Sequence, residues 1–372
     1  MGNTKKSANQ SNIFALVDWF QFKVKNISAF EILKFLGLPS NVWIISQGKL
    51  AGYQQFIAYA EFCNIRLYMN NVALLGFDSE FEDFEIEEPK EDDVSQIMVQ
   101  FSGRGCRYFE DVILKNHSLT WAIFFKELFE TFENVDVRRI DLNLNDVNEV
   151  PYFTPSSILN LCEKKRFNYG RSTSYASVGT KILGQTTYLG SPKTSDRLII
   201  IYDKKSERMA KGQLFEANQF PSWVRLEIRF IRKIAEEITK KIANENTDII
   251  DIIKGYLKQQ LHFYSDTTQD KEMRFWERYL GASKPFKISI KHENTSIEQK
   301  AKWLDFGGAL SVTRVLEFLT DYGITPKKVG SVYKNAENKK IPKSLAISVI
   351  DYLDKVNRLD LIPEVLKMVD KK

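Results

Sequence analysis

Apolar residues recur along this chain with two different periods, and the change between them divides it. Up to Phe230, short stretches alternate or run apolar in the manner of strands: Ile13–Val24 (IFALVDWFQFKV), two strands within Gly52–Met69 joined through Glu61–Asn64, Ile97–Phe101, Val137–Asp146 (VRRIDLNLND), Gly179–Gly190 as a turn and strand, Arg197–Asp203 (RLIIIYD) and Trp223–Phe230 (WVRLEIRF). Helical spacing interrupts them at Ser28–Leu36, behind a serine suited to capping, at Leu119–Phe132 and at Ser156–Lys164. Beyond Ile231 the helical period takes over, in segments at 231–261, 271–280, 297–304, 311–322 and 345–356 separated by glycines and prolines. This order predicts an α+β class: a largely antiparallel central sheet with flanking helices over 13–232, a helical C-terminal domain over 233–372, and a disordered tail over 1–12.

Three of the strands carry polar chemistry on one face. In Val137–Asp146, Ile140, Leu142 and Leu144 share one side, while Asp141, Asn143 and Asn145 share the other, against their own strand propensity. Their oxygens suit a hard cation such as magnesium or manganese; the bland alternative is a face open to solvent. In Trp223–Phe230, Arg225, Glu227 and Arg229 likewise share a face, and Glu227 is a second carboxylate for the cation of Asp141 or an ion-pair partner of its flanking arginines. The run RLIIIYDKKSER places Tyr202 where a strand leaves the core and meets Lys204, Lys205 and Arg208. Strand alternation puts Lys204 beside the phenol, where a cation favours its ionised form and holds a phosphate. Tyr188 and Tyr169 compete for the nucleophile's role.

Other basic positions suit a phosphodiester chain. Arg104 and Arg107 flank the glycines of SGRGCR, read as a tight turn with a phosphate clamp or as a plain bulged turn, and not as a P-loop, since no Lys-Ser/Thr pair follows. Lys164, Lys165 and Arg171 are interleaved with Phe167 and Tyr169, a mixture that suits single strands.

Composition adds a partner. The 372 residues have a net charge of +5, but residues 78–93 hold ten acids against Lys90 alone, so the rest of the chain carries a strong positive excess. That excess favours a polyanion, and the acidic segment reads as a solvated loop. Three scattered cysteines and three isolated histidines give no zinc spacing and no disulfide framework. With no apolar span and a polar N-terminus, the chain reads as cytoplasmic, without a membrane partner.

VDWFQFKV, SGRGCRYFE, RIDLNLND, TTYLGSPKTSDRLIIIYDKK and WVRLEIRF, in this order, resemble the replication initiation factor family of rolling-circle plasmid initiators and related relaxases of integrative conjugative elements, with weaker likeness at RFWERYLG and KWLDF. The resemblance implies nicking of origin DNA, single-stranded or extruded as a hairpin, by a tyrosine matching Tyr202, with a divalent cation. Lys204 and Arg225 would position the strand, and the metal would be held by Asp141 and Glu227. Asn145 stands where some relatives have Asp, leaving Asp146 or Glu227 to replace it. A homodimer and a host helicase are partners the resemblance implies without any residue here identifying them. The competing classes are a non-catalytic origin- or operator-binding protein and an RNA-binding protein.

Overall fold

The computed structural model describes residues 12–39, 42–47, 56–70, 96–170, 172–180, 184–245, 248–288, 296–306, 315 and 340–369. The acidic segment, the tail up to residue 11, Arg171 and the expected helix at 311–322, save residue 315, lie outside them.

Ten strands form one sheet: β1 (Ile13–Lys25), β2 (Ile44–Gln47), β3 (Ala58–Phe62), β4 (Ile65–Met69), β5 (Gln96–Phe101), β6 (Asp136–Asp146), β8 (Tyr175–Thr180), β9 (Gly184–Leu189), β10 (Arg197–Asp203) and β11 (Val224–Ile231). Their spatial order is β2-β3-β4-β5-β1-β6-β11-β10-β9-β8, and every neighbouring pair is antiparallel. A separate pair joins β7 (Phe167–Tyr169) to β12 (Leu261–Phe263). The expected hairpin at β3 and β4 turns through Cys63 and Asn64, both with positive φ.

The helices are α1 (Ala29–Leu36), α2 (Gly103–Tyr108) continued by a π-helical turn Phe109–Leu114, α3 (Trp121–Thr131), α4 (Pro155–Glu163), α5 (Lys204–Ala210), α6 (Leu214–Ala217), α7 (Arg232–Glu245), α8 (Ile249–Gln260), α9 (Arg274–Leu280), α10 (Ile297–Phe306), α11 (Lys343–Lys355) and α12 (Ile362–Lys367). Ser28 caps α1 through a reciprocal bond pair with Glu31, as its spacing predicts. The SGRGCR turn is instead the start of α2. Its second glycine is needed for a close approach, because a Cβ at Gly105 would stand 2.5 Å from the carbonyl oxygen of Asn64 in the β3–β4 turn.

One apolar core fills the sheet's covered face. Ile140, Leu142 and Leu144 of β6 and Leu226 and Ile228 of β11 are wholly buried, against Ile238 and Ile242 of α7 and Ile252, Ile253 and Leu257 of α8. The chain divides into two compact units, Met1–Ile290 and Lys291–Lys372. This differs from the boundary near 233 that periodicity suggests. Periodicity marks where helices begin, whereas the apolar stripe of α7 and α8 is spent on the sheet, so they belong to its unit. In the second unit, α11 and α12 pack through Ala346, Leu353 and Val365, and Lys300 of α10 donates to Ser348. Among the described residues no helix is long and apolar enough to cross a membrane.

Candidate active site

The opposite face of the same central strands is polar. Register places Asn145 across from Arg225, Asn143 across from Glu227, and Asp141 across from Arg229. On the far side of β11, Tyr202 of β10 stands opposite Arg225, and Ile200 opposite Glu227. On the far side of β6, β1 bulges between Val17 and Trp19, so that Asp18 is an extra residue facing this side. The face is not open to solvent: Asp141 is 2% exposed, Asn143 and Asn145 0%, Arg225 2% and Glu227 8%. Groups buried to this degree need partners, and most have them.

Asp18 is a functional candidate that periodicity misses. Its carboxylate pairs with Arg225 Nη1 at 3.3 Å. Arg225 Nε and Trp223 Nε1 both donate to Asn145 Oδ1 at 2.8 Å, and Asn145 Nδ2 donates to Asn143 Oδ1 at 2.6 Å. Asp141 is held by both Arg139 donors and has Arg229 Nε 3.5 Å away, while Arg139 lies over the Trp19 ring. Asp146 points to the other side of β6, where it takes the backbone N–H groups of Asn148 and Tyr152, so it shapes the strand's exit and replaces nothing at the polar face.

Tyr202 Oη donates to Glu227 Oε2 at 3.4 Å. Burial pushes the phenol well above its ordinary acidity constant; the nearby Arg225 opposes this without overcoming it, and Glu227 and Asp18 add to it. The expectation that a cation favours the ionised phenol is therefore reversed by desolvation. Glu227 is also held above the usual carboxylate range, by burial first and then by the negative charges of Asp141 and Asp18. Lys204 opens α5, capped by Asp203, and does not continue the strand. Its ammonium nevertheless lies 5.4 Å from the Tyr202 ring centroid and pairs with Glu207. Burial and the charge of Arg225 lower it to about 8.

The remaining candidates scatter. Lys205 Nζ donates to the carbonyls of Phe220 and Pro221 at 2.9 and 3.0 Å, closing a loop. Arg107 donates to the Val17 carbonyl and pairs with Glu110 at 3.0 Å, so it braces α2 against β1. Arg104, Lys164 and Lys165 are exposed away from these contacts. Tyr169 is 3% exposed and bonded to Tyr256, which removes it as a nucleophile; Tyr188 lies on β9 opposite Ile200.

Among the described residues no three His, Cys, Asp or Glu side chains are grouped to hold a metal ion. The donor chemistry still fits a hard cation in part. Among the described residues Glu227 accepts only the long bond from Tyr202, and Asp141 retains lone pairs beside its arginine. Asn145 does not fit, because its oxygen already accepts two donors.

Residues 135–325 match the family model described as replication initiation factor, and residues 14–127 match the rolling circle replication initiation protein N-terminal domain. The chain is 23% identical over 239 residues to a putative DNA relaxase, NicK, of Bacillus subtilis (strain 168), a match covering 61% of this chain and 65% of that relative's length. The solved rolling circle replication initiator protein from Geobacillus stearothermophilus superposes with a TM-score of 0.56 at 20% identity, over 75% of this chain and 99% of that one, a likeness of fold.

Proposed function

The chain belongs to the replication initiation factor family, and from that premise we propose that it nicks one strand of origin DNA through a covalent tyrosine intermediate, starting rolling-circle replication or transfer of a mobile element. The observation that carries this reading is the Tyr202 hydroxyl bonded to a buried carboxylate whose proton affinity is raised.

The phenol is protonated at neutral pH and needs an acceptor. Glu227 Oε2 is the group in reach and is a better base than an ordinary carboxylate. As the Tyr202 Oη–phosphorus bond forms, the phenolic proton passes to Glu227 and the bond from phosphorus to the 3′ oxygen breaks. The products are a 5′-phosphotyrosine and a 3′-hydroxyl, the latter completed by a proton from solvent. The ammonium of Lys204 beside the ring offsets negative charge as it passes from the oxygen to the phosphate. Arg225 is fixed by Asp18 and Asn145 and holds the polar face in register opposite Tyr202. Asp141, beside Glu227, would hold a divalent cation, which would supply polarisation of a phosphate oxygen, while Glu227 keeps the proton-accepting role. Because the covalent link keeps the bond energy, the reverse attack by a 3′-hydroxyl rejoins the strand without a nucleotide cofactor.

Tyr202→Phe tests the reading. On an origin oligonucleotide it is expected to bind with unchanged affinity and form no covalent adduct on a denaturing gel. An adduct that persists moves the nucleophile to Tyr188, and wild-type protein that binds without any adduct leaves a DNA-recognition protein.

A further inference from the structure

The strands β10 and β11 are neighbours in the sheet, yet the chain between them does not turn tightly. From Lys204 to Trp223 it makes an excursion that carries α5 and α6. Its base is closed: the N–H groups of Lys204 and Lys205 donate to the Trp223 carbonyl at 2.8 and 3.3 Å, and Lys205 Nζ ties down Phe220 and Pro221. Its interior is braced by Arg208, which bonds Gln213 and Glu216, and Gly212 takes the left-handed backbone that reverses the chain between the helices. A rigid projection of this kind, longer than a hairpin requires, calls for a use.

Its tip is apolar. Phe215 is 83% exposed, Leu214 55% and Met209 45%. Three large apolar side chains within seven positions of one another in the chain, all this open to water, are costly unless something covers them. Among the described residues Phe215 belongs to no apolar cluster. The projection also begins two residues after Tyr202, and between Lys204 and Ala217 it carries four cations against two acids.

We propose that Phe215, supported by Leu214 and Met209, is a stacking platform for unpaired bases of the DNA strand that enters the Tyr202 site. The inference rests on the nicking reading. An aromatic face takes any base, and the net positive charge of the segment, left after its cations have paired with its two acids, favours the phosphates, which is the combination single strands require. The projection leaves the sheet directly after the Tyr202 strand and returns into β11, so the platform is carried by the segment that joins the two strands bearing Tyr202 and Glu227. A protein partner would use the same apolar atoms but would not distinguish single-stranded from duplex DNA.

The test uses the full chain and a mixed-sequence single-stranded oligonucleotide carrying 2-aminopurine, with its duplex as control. Phe215→Ala is expected to weaken single-strand binding about 5- to 30-fold, to lose the fluorescence quench caused by stacking, and to change duplex affinity less than about twofold. Phe215→Trp should restore both the affinity and the quench. Unchanged single-strand affinity in Phe215→Ala overturns the platform, as does an equal loss on the duplex. Adduct formation by wild-type protein on an origin oligonucleotide is scored separately. Its absence with the quench intact sinks the nicking reading while leaving the platform, and its presence with no effect at Phe215 does the reverse.

Discussion

Tyr202, Glu227 and Lys204 are three titratable groups forced into one desolvated space, and their acidities move in directions that set a pH window. In the proposed nicking step Glu227 must be ionised to take the phenolic proton, and burial with Asp141 and Asp18 raises it above the usual carboxylate range. On the same proposal Lys204 must be charged to offset the phosphate, and burial lowers it to about 8. The single-turnover nicking rate is thus expected to rise with pH at values above those of a free carboxylate, about 4.3, and to fall again near 8. Lys204→Arg, whose guanidinium keeps its proton, should carry the falling limb to higher pH while leaving the rising one in place. Asp18 belongs to the same group: Asp18→Asn strips Arg225 of its carboxylate partner and should lower stability by about 2–3 kcal/mol, read as a shift in urea midpoint. The residues on β6 and β11 were legible because strict alternation sorts their polar positions onto one side. Asp18 was not, because a single acid in an apolar run carries no period, and the bulge that turns it to the polar side arises from pairing with β6.

Elements were legible where local chemistry decides them and opaque where a distant backbone does. The serine before α1 and the turn between β3 and β4 need only neighbouring residues. The SGRGCR segment looks like a turn from its glycines, yet it folds as a helix, and Gly105 serves the close approach of the Asn64 carbonyl, a contact more than forty positions away. Gly105→Ala is accordingly expected to cost about 1–3 kcal/mol through overpacking of backbone against backbone, measured by chemical denaturation. Lys204 shows the opposite case. Alternation placed it beside Tyr202 for a reason that does not hold, since the strand ends at Asp203, but the first turn of α5 brings its amine to the ring all the same.

On the scale of the whole chain, helical periodicity after Ile231 does not mark a new unit, because α7 and α8 cover the sheet. A chain ended after Ile290 is expected to keep one cooperative unfolding transition near that of the intact protein, whereas one ended at Ile231 exposes the apolar face of β6 and β11 and should be recovered only as aggregate. Differential scanning calorimetry of the two truncations decides it. The antiparallel order has a further consequence. β1 precedes both of its partners in the chain, so one edge waits for Gln96–Phe101 of β5 and the other, along Ile13–Lys23, for Asp136–Asp146 of β6. A nascent chain with its central strand waiting in this way keeps apolar surface open until long-range pairing closes it, so its maturation is timed by synthesis rather than by collapse.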